Sequence, residues 1–110
     1  MDKPDLRRHQ RILVPSGHVM RVHGRDGGPP FEGVVTVIGL GGMFIRTENT
    51  APPGTVLDVK LDDPVAAFDY ECTIRHVAEN GIGVEITKIS PPNEQRLRFL
   101  LVQLKGASTP

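Results

Sequence analysis

The sequence predicts an all-β protein, a small six-stranded antiparallel β-barrel with a C-terminal α-helix, and three observations carry that prediction. Apolar and polar residues alternate with a period of two in several short runs, as strands with one buried face require. Twelve glycines and ten prolines cut the chain at short intervals, which suits many turns and few helices. Only the last stretch changes to helical spacing, with Leu97, Leu100, Leu101 and Leu104 on one face. At 110 residues the chain is one domain with one modest core. Short strands joined in sequence gain most from closing into a barrel, because closure leaves no exposed edge.

Residues 1–11 are polar and charged, with Pro4, and predict a flexible arm ahead of a barrel domain over 12–105. Ile12–Val14 turn apolar, Pro15-Ser16-Gly17 break the chain, and His18–His23 alternate as a first strand. Gly24–Pro30 form a loop. Phe31–Ile38, rich in β-branched residues, make a buried strand in which Thr36 and Val37 point to opposite faces. Gly39-Leu40-Gly41-Gly42 then turn the chain into Met43–Thr47, a hairpin. Leu57, Val59 and Leu61 alternate with Asp58 and Lys60; Phe68, Tyr70, Cys72, Ile74 and His76 alternate with Asp69, Glu71, Thr73 and Arg75. Asn80-Gly81 is the strongest hairpin signal in the chain and leads into Ile82–Ile86. Ser90 caps a helix over about 91–104, with Pro91 in its first turn and Glu94 near the positive end of its dipole. Residues 106–110 are small and polar and predict a disordered tail.

Thirteen basic and thirteen acidic residues cancel, so no global field draws the protein to DNA, RNA or an anionic membrane, and an anion site must be local. No apolar run approaches the ~20 residues of a membrane span, so direct insertion is not expected and the protein is read as cytoplasmic. Cys72 is the sole cysteine, which excludes an internal disulfide; on the apolar side of its strand it reads as a small buried hydrophobe. His9, His18, His23 and His76 lack metal-ligand spacing. Gly39-Leu40-Gly41 is not a dinucleotide fingerprint, because Phe44 stands at the third glycine position and a strand follows. Ser16, Ser90 and Ser108 form no hydrolase motif, so no catalytic constellation is found and an enzyme is not expected. Phe99 and Val102 fall off the leucine stripe and offer a second contact surface, for a partner or another copy of a chain read as monomer or homodimer.

The most informative stretch is residues 6–25, which carry Arg7, Arg8, Arg11, Arg21 and Arg25 with His9, His18 and His23 and no acid. The spacing Arg7-Arg8-x-x-Arg11 at the start of a β-rich domain resembles the RxxxR arm of PilZ domains, the bacterial receptors for cyclic di-GMP. The order of the remaining features is similar to that family: a strand pair around a glycine-ending motif, Gly81-Ile82-Gly83-Val84-Glu85-Ile86 in the last strand, and a terminal helix. Where the family has (Asp/Asn)-x-Ser-x-x-Gly, this chain reads Val37-Ile38-Gly39-Leu40-Gly41-Gly42, and only Gly42 survives. The resemblance implies a cyclic di-GMP-binding signalling effector with no cofactor. Arg7, Arg8 and Arg11 would grip the ligand beside Gly39, Gly41 and Gly42, and the arm's closure would alter contact with an unidentified protein target. Arginine forks suit this work, since they pair bidentately with phosphate oxygens and with guanine O6 and N7. A hydrogen bond to a charged group is worth ~1.5–3 kcal/mol and each ~1.4 kcal/mol is tenfold in affinity, so the missing acid costs roughly ten- to a hundred-fold. The resemblance leaves a second reading open: a degenerate PilZ-like adaptor that no longer binds nucleotide and acts through protein contacts in motility or surface attachment.

Overall fold

The computed structural model describes residues 11–15, 17–25 and 30–108, with side chains described as far as 106. Arg7, Arg8 and the rest of the arm over 1–10 lie outside the described residues. The strands are β1 (Ile12–Leu13), β2 (Arg21–Gly24), β3 (Glu32–Ile38), β4 (Gly42–Arg46), β5 (Val56–Asp62), β6 (Ala67–Ala78) and β7 (Gly81–Lys88), followed by helix α1 (Pro91–Ser108). They form a 7-stranded antiparallel sheet in the order β1-β3-β2-β5-β6-β7-β4, and β4 pairs back onto β3. That pairing closes six strands into the expected barrel and leaves β1 as an addition. β1 and β2 share one edge of β3: β2 pairs along its first half, from Arg21↔Val34 to His23↔Glu32, and β1 takes its end through Ile12↔Ile38 and Leu13↔Val37.

Inward positions fill the barrel with branched aliphatic residues. Val22, Val35, Ile38, Ile45, Val59, Leu61, Ile74 and Ile82 are essentially inaccessible to solvent, as are Leu97, Leu100 and Leu104 of α1. Each such side chain contributes about 1.5–3 kcal/mol on burial. Helix α1 packs against β6 and β1. Its start follows the expected capping: the Ser90 carbonyl accepts from Glu94 N at 2.8 Å, and its Oγ accepts from Asn93 N at 3.4 Å. Asn93 Nδ2 donates to the Asp69 carbonyl at 3.0 Å, which ties the first turn to β6.

Four local expectations are corrected. The pairing of β3 with β4 steps from Val35↔Ile45 to Val37↔Phe44, so Thr36 is a β-bulge residue. Val35 and Ile38 are both buried, and Thr36 and Val37 are both partly exposed instead of alternating between a buried and an exposed face. On β6 the register against β7 slips between Ile74 and His76, which leaves Arg75 and His76 both exposed where His76 was expected with the apolar set. The hairpin after β6 forms, but Ala78 pairs with Gly81, so Glu79 and Asn80 are its turn residues and Gly81 belongs to the strand. A Cβ at Gly81 would run into the Ile45 carbonyl oxygen, so glycine is needed there for close approach of β4. Finally, α1 continues to Ser108 instead of ending near 104, and the expected tail is helical through 108. A glycine near a helix end costs about 1 kcal/mol relative to alanine, which did not suffice at Gly106 to stop the helix.

Candidate functional site

The two bulges shape one face of the barrel. Beyond Val35 the inward parity of β3 passes to Ile38, and this turns Val37 outward beside Phe44. A single row then crosses the outer face through Leu13↔Val37, Val37↔Phe44, Phe44↔Gly83 and Gly83↔His76. The adjoining row runs Gly42↔Glu85 and Glu85↔Thr73. Arg75, the extra residue of the β6 bulge, projects from the same face; bulges commonly re-aim a side chain beside a functional site.

Over these rows lies an open cleft of ~670 Å³, lined by Arg11, the Gly39–Gly42 turn, Met43 and Phe44 of β4, Arg75 and His76 of β6, and residues 83–86 of β7. The volume falls within the ~300–1,000 Å³ usual for small-molecule sites. The turn is fixed at both ends. Gly39 N donates to the Gly42 carbonyl at 2.9 Å, and Ile86 N donates to the Gly41 carbonyl at 2.9 Å. A Cβ at Gly42 would run into the Val84 carbonyl oxygen, so this glycine permits β4 and β7 to meet beneath the cleft. A Cβ at Gly83 would sit 3.5 Å from His76 Cβ and 4.0 Å from Phe44 Cδ1, ordinary contacts, so Gly83 leaves space that a methyl group could fill.

Arg11 leads into β1 at the cleft's rim and is exposed, with no ion pair to another described residue. Val14 N donates to the Thr36 carbonyl at 2.9 Å, which holds the chain following Arg11 against the β3 bulge. Arg75 Nε donates to Glu85 Oε1 at 2.7 Å, and both side chains are about half exposed, at 56% and 51%. An exposed pair of this kind is worth about 0–1 kcal/mol, so an arriving anion or hydrogen-bonding base competes with it readily.

Of the residues expected at a site, Arg11, Gly39, Gly41 and Gly42 line one cleft, while Arg7 and Arg8 lie outside the described residues. Phe44, Arg75, His76 and Glu85 were missed; strand alternation already put Arg75 and Glu85 on polar faces, and pairing of β6 with β7 was the available signal. No comparable signal marked His18, whose Nε2 lies 2.6 Å from Oδ1 of Asp63, a fully buried carboxylate whose Oδ2 accepts from Val65 N at 2.9 Å.

Cys72 is buried, and burial first, then the nearby charges of Asp58 and Glu71, pushes its thiol up to about 12. Such a thiol stays protonated and unreactive. Burial likewise raises the Tyr70 phenol well above its ordinary value, and its hydroxyl donates to Met43 Sδ at 2.9 Å beneath the cleft. Among the described residues no cluster of three or more His, Cys, Asp or Glu could hold a metal ion, and no helix is long and apolar enough to cross a membrane.

Comparison with known proteins places this geometry among relatives. The PilZ domain family matches residues 5–103. No curated protein matches the chain in sequence. The PilZ domain of YcgR from Escherichia coli, solved with c-di-GMP, superposes with a TM-score of 0.75 at 15% identity, covering 92% of each chain. The K. pneumonia MrkH–c-di-GMP complex gives a TM-score of 0.81 at 15% identity, over 98% of this chain and 55% of that one. The Bacillus subtilis inhibitor of motility (MotI/DgrA) gives 0.70 at 13%, over 96% and 53%. The chain thus spans about half the length of MrkH and MotI/DgrA. At these identities the likeness is one of fold.

Proposed function

This chain belongs to the PilZ domain family, and from that premise we propose that it is a cyclic di-GMP receptor, a non-enzymatic effector acting in the cytoplasm on a protein target. The observation that carries the reading is the convergence of Arg11 with Gly39, Gly41 and Gly42 on one ~670 Å³ cleft, although they are distant in sequence. Arg7 and Arg8 precede Arg11 closely enough to reach the same ligand. The YcgR and MrkH structures, both solved with c-di-GMP, support the choice of ligand.

The ligand offers two phosphates and two guanines. The Arg11 fork, with Arg7 and Arg8, pairs with phosphate oxygens, and the glycine turn lets the sugar-phosphate ring approach the backbone. Ordering the arm costs conformational entropy, which the charged hydrogen bonds offset. In return a long segment changes position, and the closed arm presents a new surface to the target.

Titration of the Arg7→Ala/Arg11→Ala variant tests the reading. Removal of two charge-assisted contacts of ~1.5–3 kcal/mol each predicts a loss of at least about a hundred-fold. Unchanged affinity in that variant, with GTP as the control ligand, defeats the site assignment. One observation favours the adaptor reading: Val37 and the 73%-exposed Leu13 make an apolar ledge where the family motif has a polar residue. An absence of any cyclic di-GMP binding by the unaltered chain supports that second reading.

A further inference from the structure

The cleft contains a carboxylate for which anion binding has no use. Glu85 projects outward from β7 opposite Gly42, half exposed, at the cleft's edge, and it is the one acid among the residues that line it. A ligand held only by its phosphates would be repelled by that charge. Oε1 accepts from Arg75 Nε at 2.7 Å, and among the described residues none donates to Oε2, so the carboxylate keeps acceptor capacity to spare at the cleft. An acceptor-only group of this kind suits a planar base with two adjacent N–H donors.

Neighbouring residues supply the rest of a base site. The Phe44 ring lies over β7, its Cε2 edge towards Gly81 and its opposite Cδ1 edge towards Gly83, and it is partly exposed. Aromatic faces are stacking platforms for nucleobases. Gly83 adds no side chain beneath the cleft, and His76 stands across from it. Glu85 is the next residue on the same face of β7 beyond Gly83, so a base stacked on Phe44 directs one edge along the strand to Glu85.

Resting on the receptor reading above, we infer that Glu85, positioned by Arg75, reads guanine in this cleft. Its carboxylate accepts the ring N1–H and the 2-amino N–H side by side. Adenine places an acceptor, N1, where guanine has a donor, and hypoxanthine keeps N1–H but lacks the 2-amino group. The free N–H groups of Arg75 lie on the same rim to meet guanine O6 or N7. The acid that the turn motif lacks at Val37 is thereby supplied from β7, at a position that no glycine-turn motif would reveal.

The test is calorimetric titration of the whole chain and of its Glu85→Gln variant with cyclic di-GMP, cyclic di-IMP and cyclic di-AMP. Glu85 is exposed, so the variant keeps the fold. Wild-type protein is expected to prefer cyclic di-GMP over cyclic di-IMP by roughly tenfold, the worth of one charged hydrogen bond. In Glu85→Gln that preference disappears, and cyclic di-GMP weakens by roughly ten- to a hundred-fold. Retained affinity and preference in the variant overturn the inference and leave the receptor reading standing. An equal loss for cyclic di-GMP and cyclic di-IMP, the mark of Glu85 acting only through Arg75, also overturns it. Absence of binding of every cyclic dinucleotide to the wild type defeats the receptor reading itself.

Discussion

Gly42, Gly81 and Gly83 lie on two neighbouring strands yet answer to different constraints. At Gly42 and Gly81 a Cβ meets a backbone carbonyl, of Val84 and Ile45 respectively, and backbone cannot step aside. Gly42→Ala and Gly81→Ala are therefore expected to destabilise by about 1–3 kcal/mol, which thermal melts read as a drop of roughly 4–8 °C per kcal/mol. At Gly83 the same methyl makes only ordinary contacts at 3.5 and 4.0 Å, so Gly83→Ala keeps the melting temperature while narrowing the cleft and weakening cyclic di-GMP. A melting temperature that falls as far in Gly83→Ala as in Gly42→Ala contradicts this. Cys72 makes a second prediction. Unfolded, its thiol ionises near 9.0, whereas folded it holds its proton to about 12. The folded state thus binds more protons between those values, and the stability is complete below about 9 and lost as pH rises through about 12. Tyr70, raised in the same direction, adds to the alkaline loss. Denaturation midpoints should hold up to about pH 9 and fall steadily above it, and a flat profile from there to about pH 11 counts against the burial of both groups.

Helix α1 buries Leu97, Leu100 and Leu104, half-buries Leu101 and leaves Phe99 and Val102 exposed. Leu97 and Leu100 are 0% exposed, whereas Val102 is 66% exposed. Leu100→Ala should cost about 2–5 kcal/mol, and Val102→Ala should stay within about 0.5 kcal/mol in either direction, a contrast that urea unfolding resolves. The helix and the strands were legible because their burial patterns repeat within each segment, at 3.6 and 2 residues. The bulges at Thr36 and Arg75 were not, since a bulge is set by the partner strand: the residues of β3 alone do not reveal that Val35 and Val37 oppose Ile45 and Phe44 without an intervening residue on β4. The same limit hid half of the cleft. The arginine arm and the glycine turn are short local patterns, whereas Arg75, His76, Glu85 and Phe44 meet only through the pairing of β4, β6 and β7.

At the scale of the whole molecule, a chain of zero formal charge places two arginines, Arg11 and Arg75, on the lining of one cleft. Acids and bases cancel overall, so attraction of an anion depends on the local set around Arg11 and Arg75 and falls with added salt. The closed barrel fixes the backbone around that set: β1 anchors the chain after Arg11 to β3, and the glycine turn is bonded to β7. His18 and the buried Asp63 fasten the segment between β1 and β2 to the β5–β6 connection. Asp63→Ala removes the acceptors of His18 and Val65 N together and should lower stability by about 1–3 kcal/mol, measured by chemical denaturation. In the proposed receptor, cyclic di-GMP occupies the cleft between Arg11, the Gly39–Gly42 turn and β7. Amide chemical-shift mapping by NMR during titration with cyclic di-GMP locates the bound ligand residue by residue. Saturable shifts concentrated at Arg11, Gly41, Gly42, Gly83 and Glu85 are expected; a spectrum that stays unchanged, or shifts confined to the far side of the barrel around β2 and β5, rules this site out.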